Sequence, residues 1–124
     1  MATIYVSRED NDHIRLNNDT GADLSQYEPT VIGELAAVAD EAITSAAVGS
    51  FAVEAGLEVQ SDDLSAGENT FGTVNQIVYF DPSGKTFSDT ETVGYYEWGQ
   101  LKTVKDTNGV IVISKFYRAV LVTS

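Results

Sequence analysis

Apolar and β-branched residues fall in short runs along this chain. Glycine, asparagine, aspartate and proline interrupt them about every eight to twelve residues, the punctuation of an all-β domain. The runs predict strands at Thr3–Val6, His13–Leu16, Thr30–Ile32, Leu35–Ala39, Ser50–Glu54, Leu57–Gln60, Gln76–Phe80, Thr86–Phe87, Thr92–Leu101, Val110–Ile113 and Phe116–Thr123. Two connections carry hairpin chemistry. Asp81-Pro82-Ser83-Gly84 offers a proline whose ring presets φ and a glycine for the left-handed position. Asp106-Thr107-Asn108-Gly109 ends in the Asn-Gly pair that tight turns favour. In the last strand Phe116, Arg118, Val120 and Val122 share one face, and Tyr117, Ala119, Leu121 and Thr123 the other. Both faces are largely apolar, so this strand is expected to be covered on both sides.

Leu35 to Val48 supports two readings. Leu35, Val38, Ala39, Ala42, Ile43, Ala46 and Ala47 recur at helical spacing, and alanine is the best helix former. Gly33 and Gly49 bracket the stretch and its flanks read as strand, which favours continued β structure.

With 124 residues, 43% of them hydrophobic and 21% charged, the chain has the size and composition of one globular domain. It contains no cysteine, which excludes disulfides, thiolate nucleophiles and cysteine-ligated metals. His13 is the one histidine, so a two-histidine metal face is excluded as well. The formal charge of −12 opposes binding to DNA, RNA or anionic lipid. Between Arg15 and Lys85 there are twelve carboxylates and no basic residue, which fits either a solvated acidic surface or an acidic side opposite a more neutral docking side. The start of the chain lacks the basic and apolar regions of a secretory signal, and Asp40 and Glu41 interrupt the apolar stretch Leu35–Val53. Neither export nor a membrane span is expected.

The candidate chemical motifs resolve into turns. Gly84-Lys85-Thr86 resembles the end of a phosphate-binding loop, but Tyr79 stands where the first glycine belongs and Pro82 removes an amide. Asp10-Asn11-Asp12-His13 starts like a calcium loop, yet Arg15 and Gly21 occupy the positions that need glycine and glutamate. His13 has no G-x-S-x-G nucleophile to serve and is expected to be solvated beside Asp10 and Asp12. Asp62-Asp63 lies among loop formers, as a surface turn. No catalytic residue, metal site or cofactor is expected. In the aromatic run Tyr95-Tyr96-Glu97-Trp98, Tyr96 and Trp98 share one face of a strand and Tyr95 joins Val93 on the other. The cluster is either core or, in part, an interface anchor through Tyr95, Tyr96 and Trp98.

Six segments stand out along the chain: Met1-Ala2-Thr3-Ile4-Tyr5-Val6, Val31-Ile32-Gly33 with Leu35–Ala39, Gly49-Ser50-Phe51-Ala52-Val53, Val78-Tyr79-Phe80-Asp81 before Gly84-Lys85-Thr86-Phe87, Val93-Gly94, and Val120-Leu121-Val122. Together, over nearly the whole length, they resemble the small phage capsid cement, or head decoration, proteins. The resemblance implies an all-β fold, a compact small barrel or β-tulip-like domain with an extended N-terminal arm. Residues 1–15 would form the arm and first strands, and residues 16–124 a single decoration domain. The implied protein is a non-enzymatic homotrimer, made in the host cytoplasm and carried on the capsid exterior, that binds the major capsid protein after shell expansion. It would need no cofactor, nucleic acid or membrane.

On that reading Ala2, Thr3, Ile4, Tyr5 and Val6 are either a free strand for a partner's sheet or an ordinary first strand of their own domain. Arg8 and Arg15 would pair with shell carboxylates, or neutralise Glu9, Asp10 and Asp12 nearby. The alternative function is a β domain on a virion surface or fibre that binds a small molecule or glycan.

Overall fold

The computed structural model describes residues 5–6, 13–65 and 70–124. Among them are ten strands and no helix: β1 (Tyr5–Val6), β2 (His13–Asn17), β3 (Pro29–Ile32), β4 (Leu35–Ala39), β5 (Val48–Ala52), β6 (Glu58–Ser61), β7 (Ile77–Asp81), β8 (Thr86–Ser88), β9 (Tyr96–Thr103) and β10 (Ile111–Leu121). Every ladder between strands is antiparallel. The larger sheet runs β8-β7-β9-β10-β6-β1. The smaller runs β3-β4-β5-β2. β10 joins the two. β9 holds one edge of it, while the other edge passes from β6 (Ile111–Ser114) to β4, where Arg118 faces Leu35. The sheets fold over a common core into a barrel-like all-β body.

That main core gathers Phe71, Phe80, Phe87, Trp98, Leu101, Ile111 and Ile113 with Ala36 and Val38 of β4. Phe80, Phe87 and Trp98 form a tilted aromatic trio with centroids 5.1–6.3 Å apart, the offset geometry that ring quadrupoles prefer. A second core lies on the other face of the smaller sheet. There Ala37 and Ala39 pack with Leu24, Ile32, Ile43, Phe51 and Val53. β4 is therefore buried on both faces, which explains its alanines: two closely approaching layers leave room for little more than a methyl group. The helical spacing through Leu35–Val48 is overridden because pairing with β3, β5 and β10 satisfies the backbone of β4 across the sheet.

Val110–Ile113 and Phe116–Thr123, expected as two strands, form one long strand with an irregularity between Lys115 and Val120. Regular alternation is lost beyond Lys115. Ile111, Ile113, Lys115, Ala119 and Val122 point inward, while Tyr117, Val120 and Leu121 are exposed, so the end of the strand is not covered on both sides as expected.

Turn chemistry also departs in one detail. The β7–β8 hairpin forms at Pro82–Lys85, but the left-handed residue is Lys85 (φ +58°) and not Gly84. The Asp81 carboxylate accepts the Ser83 amide and lies so close to Gly84 that a Cβ there would meet it at 2.9 Å. At the β9–β10 connection Gly109 is left-handed (φ +78°), and Asp106 Oδ1 accepts the amides of Asn108 and Val110.

Candidate functional site

The residues singled out for assembly do not converge on one place. Tyr5 and Val6 pair with Gln60 and Val59 of β6, so the main chain of these two is engaged within its own domain. Ala2, Thr3, Ile4 and Arg8 lie outside the described residues, as do Asp10, Asn11 and Asp12. Arg15 is exposed on β2, at the edge of the smaller sheet opposite Ser50. Tyr95 and Tyr96 are half-buried at the start of β9, in the larger sheet.

Trp98 requires a correction. It is 0% exposed at the centre of the main core, and its Nε1 donates to the carbonyl of Thr30 at 2.9 Å. It shares its core-facing side with Tyr96, and a bulge at Trp98-Gly99, where Val78 faces Gly99 and Tyr79 faces Glu97, shifts the alternation so that Leu101 is the next residue inward. Trp98 offers no surface to a partner. Burial raises the Tyr95 phenol above its ordinary range, and the adjacent, hydrogen-bonded Asp81 carboxylate raises it further.

His13 is exposed, as expected, and has a partner that the sequence did not point to. Its Nδ1 lies 2.6 Å from Asp40 Oδ2, which also accepts Ser50 Oγ at 2.6 Å. The serine donates to the carboxylate, so this cluster ties β2 and β5 to the turn after β4. Among the described residues no group of three or more potential ligands could hold a metal ion.

Two surface features were not legible in the sequence. One is an apolar end. Val93 (64% exposed), Val120 (53%) and Leu121 (47%) are brought beside Tyr95 and Tyr96 by hydrogen bonds from the Gly94 amide to Val122 O and from the Val122 amide to Tyr95 O. The other is a cleft of about 460 Å³ between β3 and the β7–β8 turn, lined by Asp19, Glu28, Pro29, Val31, Phe80, Lys85 and Tyr96 among others. A groove of about 330 Å³ continues past Gly33 and Tyr96 to Arg118, Val120 and Leu121.

Glu28 is buried in the wall of the cleft. Its Oε1 accepts the Ser25 amide, while Oε2 lies 3.1 Å from Lys85 Nζ in an ion pair that lacks hydrogen-bond geometry. Nearby, Arg118 Nη1 pairs with Glu34 Oε2 at 3.0 Å across the turn. The cleft escaped sequence reading because Glu28 and Lys85 meet only through the packing of two separate hairpins.

The family of phage cement proteins matches the chain over residues 8–115. The chain belongs to that family. This cement protein is thus a structural component of bacteriophage virions, associated with the capsid. Neither the curated proteins nor the solved structures include a match to it.

Proposed function

We propose that this cement protein binds the outer surface of the major capsid protein shell as a homotrimer and stabilises the expanded head. The observation that carries the reading is the family match over residues 8–115. The apolar end formed by Val93, Val120 and Leu121 with Tyr95 and Tyr96 is the surface best suited to contact between copies, since aromatic and apolar residues anchor such interfaces. Ala2 to Val6, Arg8 and Arg15 remain the proposed shell contacts. A contact of ordinary size takes about 800 Å² from each partner, a modest part of the 6394 Å² surface of the chain. One copy therefore has room to touch both its sister copies and the shell. A trimer engaging several shell subunits gains from effective concentration, so weak single contacts add up to firm attachment.

The experiment uses expanded heads from phage lacking this protein. Added protein is expected to co-sediment at a fixed ratio to the shell and to raise the temperature at which heads release DNA. Heads that bind none of it, or that rupture at the same temperature when fully decorated, would overturn the proposal. Light scattering coupled to gel filtration is expected to give three times the chain mass.

A further inference from the structure

We propose that the cleft between β3 and the β7–β8 turn receives an extended, arginine-bearing segment of the shell protein, which adds as a strand to β3 and replaces Lys85 on Glu28. The proposal rests on the shell-binding function above and names where one of its contacts is made. Three features meet in this cleft.

The first is a strand edge. Among the described residues β3 pairs with β4 alone. The two-residue turn Gly33-Glu34, with glycine at φ +59°, closes on the pair Ile32 and Leu35. Antiparallel alternation then directs the N–H and C=O of Val31, and the C=O of Pro29, away from β4. The same alternation sends the Ala36 carbonyl to the far side of β4, where Lys115 Nζ takes it at 2.8 Å. Pro29 and Val31 line the cleft. Pro29 has no N–H, which blunts the edge against indiscriminate pairing and leaves Val31 as the donor for an added strand.

The second is the buried carboxylate of Glu28, whose Oε2 has a charge partner in Lys85 but no directed hydrogen bond. Lys85 reaches it from an exposed turn, its side chain 45% accessible, so it can leave at little cost. A guanidinium supplies a planar fork of donors that an ammonium lacks and is less strongly hydrated, so it suits this site better than lysine does. Tyr96, half-buried in the same lining, is an aromatic side chain on which a guanidinium can stack.

The third is charge. Asp19 and Glu28 outweigh Lys85 in the cleft. A second copy offers no arginine on a free extended segment among its described residues: Lys85, Lys102 and Arg118 are paired with carboxylates of their own chain, Lys115 is buried, and the exposed Arg15 is held in β2 against β5. A basic segment of the shell is the complementary partner.

The test measures binding of the protein to expanded heads that lack it, together with hydrogen exchange of the peptide containing Val31. Glu28→Gln keeps the Ser25 contact but removes the charge and is expected to weaken binding roughly tenfold to a hundredfold. Lys85→Ala removes the resident competitor and is expected to tighten it, which loss of a merely structural ion pair would not do. The Val31 amide is expected to exchange more slowly on decorated heads. Thermal unfolding of both variants separates altered binding from altered stability. If wild type binds heads but both variants bind with unchanged affinity, or Val31 gains no protection, the cleft proposal is overturned while shell binding stands. Absence of any wild-type binding would overturn both. Protection of Val31 that grows with protein concentration in the absence of heads would assign the cleft to a second copy and overturn the proposal.

Discussion

Lys115 is fully buried in β10 and donates to three carbonyls, those of Ala36 (2.8 Å), Val53 (2.8 Å) and Phe116 (2.7 Å). The ammonium has three N–H groups, so the pocket matches its protonated form and fastens β10 to β4 and to the end of β5 where the two sheets meet. Burial nevertheless pushes its pKa down to about 7, opposed by the charge of Glu54. The unfolded chain holds this proton up to about pH 10.4. Between the two values the unfolded state binds more protons than the native one, so this group makes stability rise with pH. Below about pH 7 both states are protonated and the burial cost stands in full. Above about pH 10 the trend reverses, because Tyr79 and Tyr95 resist ionisation in the folded chain, chiefly through burial and then through nearby carboxylates. Urea midpoints measured in steps from pH 7 to pH 9.5 are expected to climb in wild type and to flatten in Lys115→Met. That variant removes the donor from three interior carbonyls while sparing the ammonium its desolvation, for a net loss of about 2–4 kcal/mol. Nothing in the sequence around Lys115 signals this role, since its partners come from β4 and β5.

At the scale of elements, existence was legible and phase was not. Alternation located nearly every strand, because burial on one or both faces dictates which positions are apolar. Irregularities then decided which side chains reach the core, and these depend on contacts between distant strands. The bulge that brings Leu101 inward after Trp98 needs Gly99, where a Cβ would sit 2.6 Å from both Ser114 O and Ile113 Cγ2 as β10 passes over. Gly99→Ala is expected to destabilise the fold by about 1–3 kcal/mol through overpacking against backbone that cannot yield, read as a lowered urea midpoint. A second device is Asp89, just beyond β8. Its Oδ2 accepts the amides of Thr70 (2.7 Å) and Phe71 (3.2 Å), holding the fully buried Phe71 ring in place despite a left-handed φ of +46°. Burial works to raise this carboxyl, but the two amides and the hydroxyls of Thr90 and Thr70 outweigh it and lower its pKa. Its stabilising effect is present above the unfolded pKa of about 3.9 and fades as pH falls through the depressed folded value. Asp89→Asn is expected to lose about 1–2 kcal/mol near neutral pH and to flatten the acid limb of the stability profile.

For the whole molecule, the uneven charge along the chain is partly undone by folding. Lys85, Lys102 and Arg118, all from the C-terminal third, pair with Glu28, Glu58 and Glu34 from the stretch that has no basic residue of its own. Three residual consequences follow from the formal charge of −12: copies repel one another, the repulsion is screened by salt, and an apolar contact must overcome it. The proposed contact between copies is the exposed end at Val93, Val120 and Leu121. Association of the free protein is accordingly expected to strengthen as sodium chloride rises from about 20 mM to 500 mM, as the Debye length falls from about 20 Å toward about 4 Å, measured by sedimentation equilibrium. Leu121→Asp, at an exposed position, should leave thermal unfolding of the chain within about 0.5 kcal/mol of wild type and abolish the salt-promoted association. Association that weakens with salt would mean that ion pairs, not the apolar end, hold the copies together. In that case the basic residues still exposed on the surface, Arg15 above all, become the contacts to map.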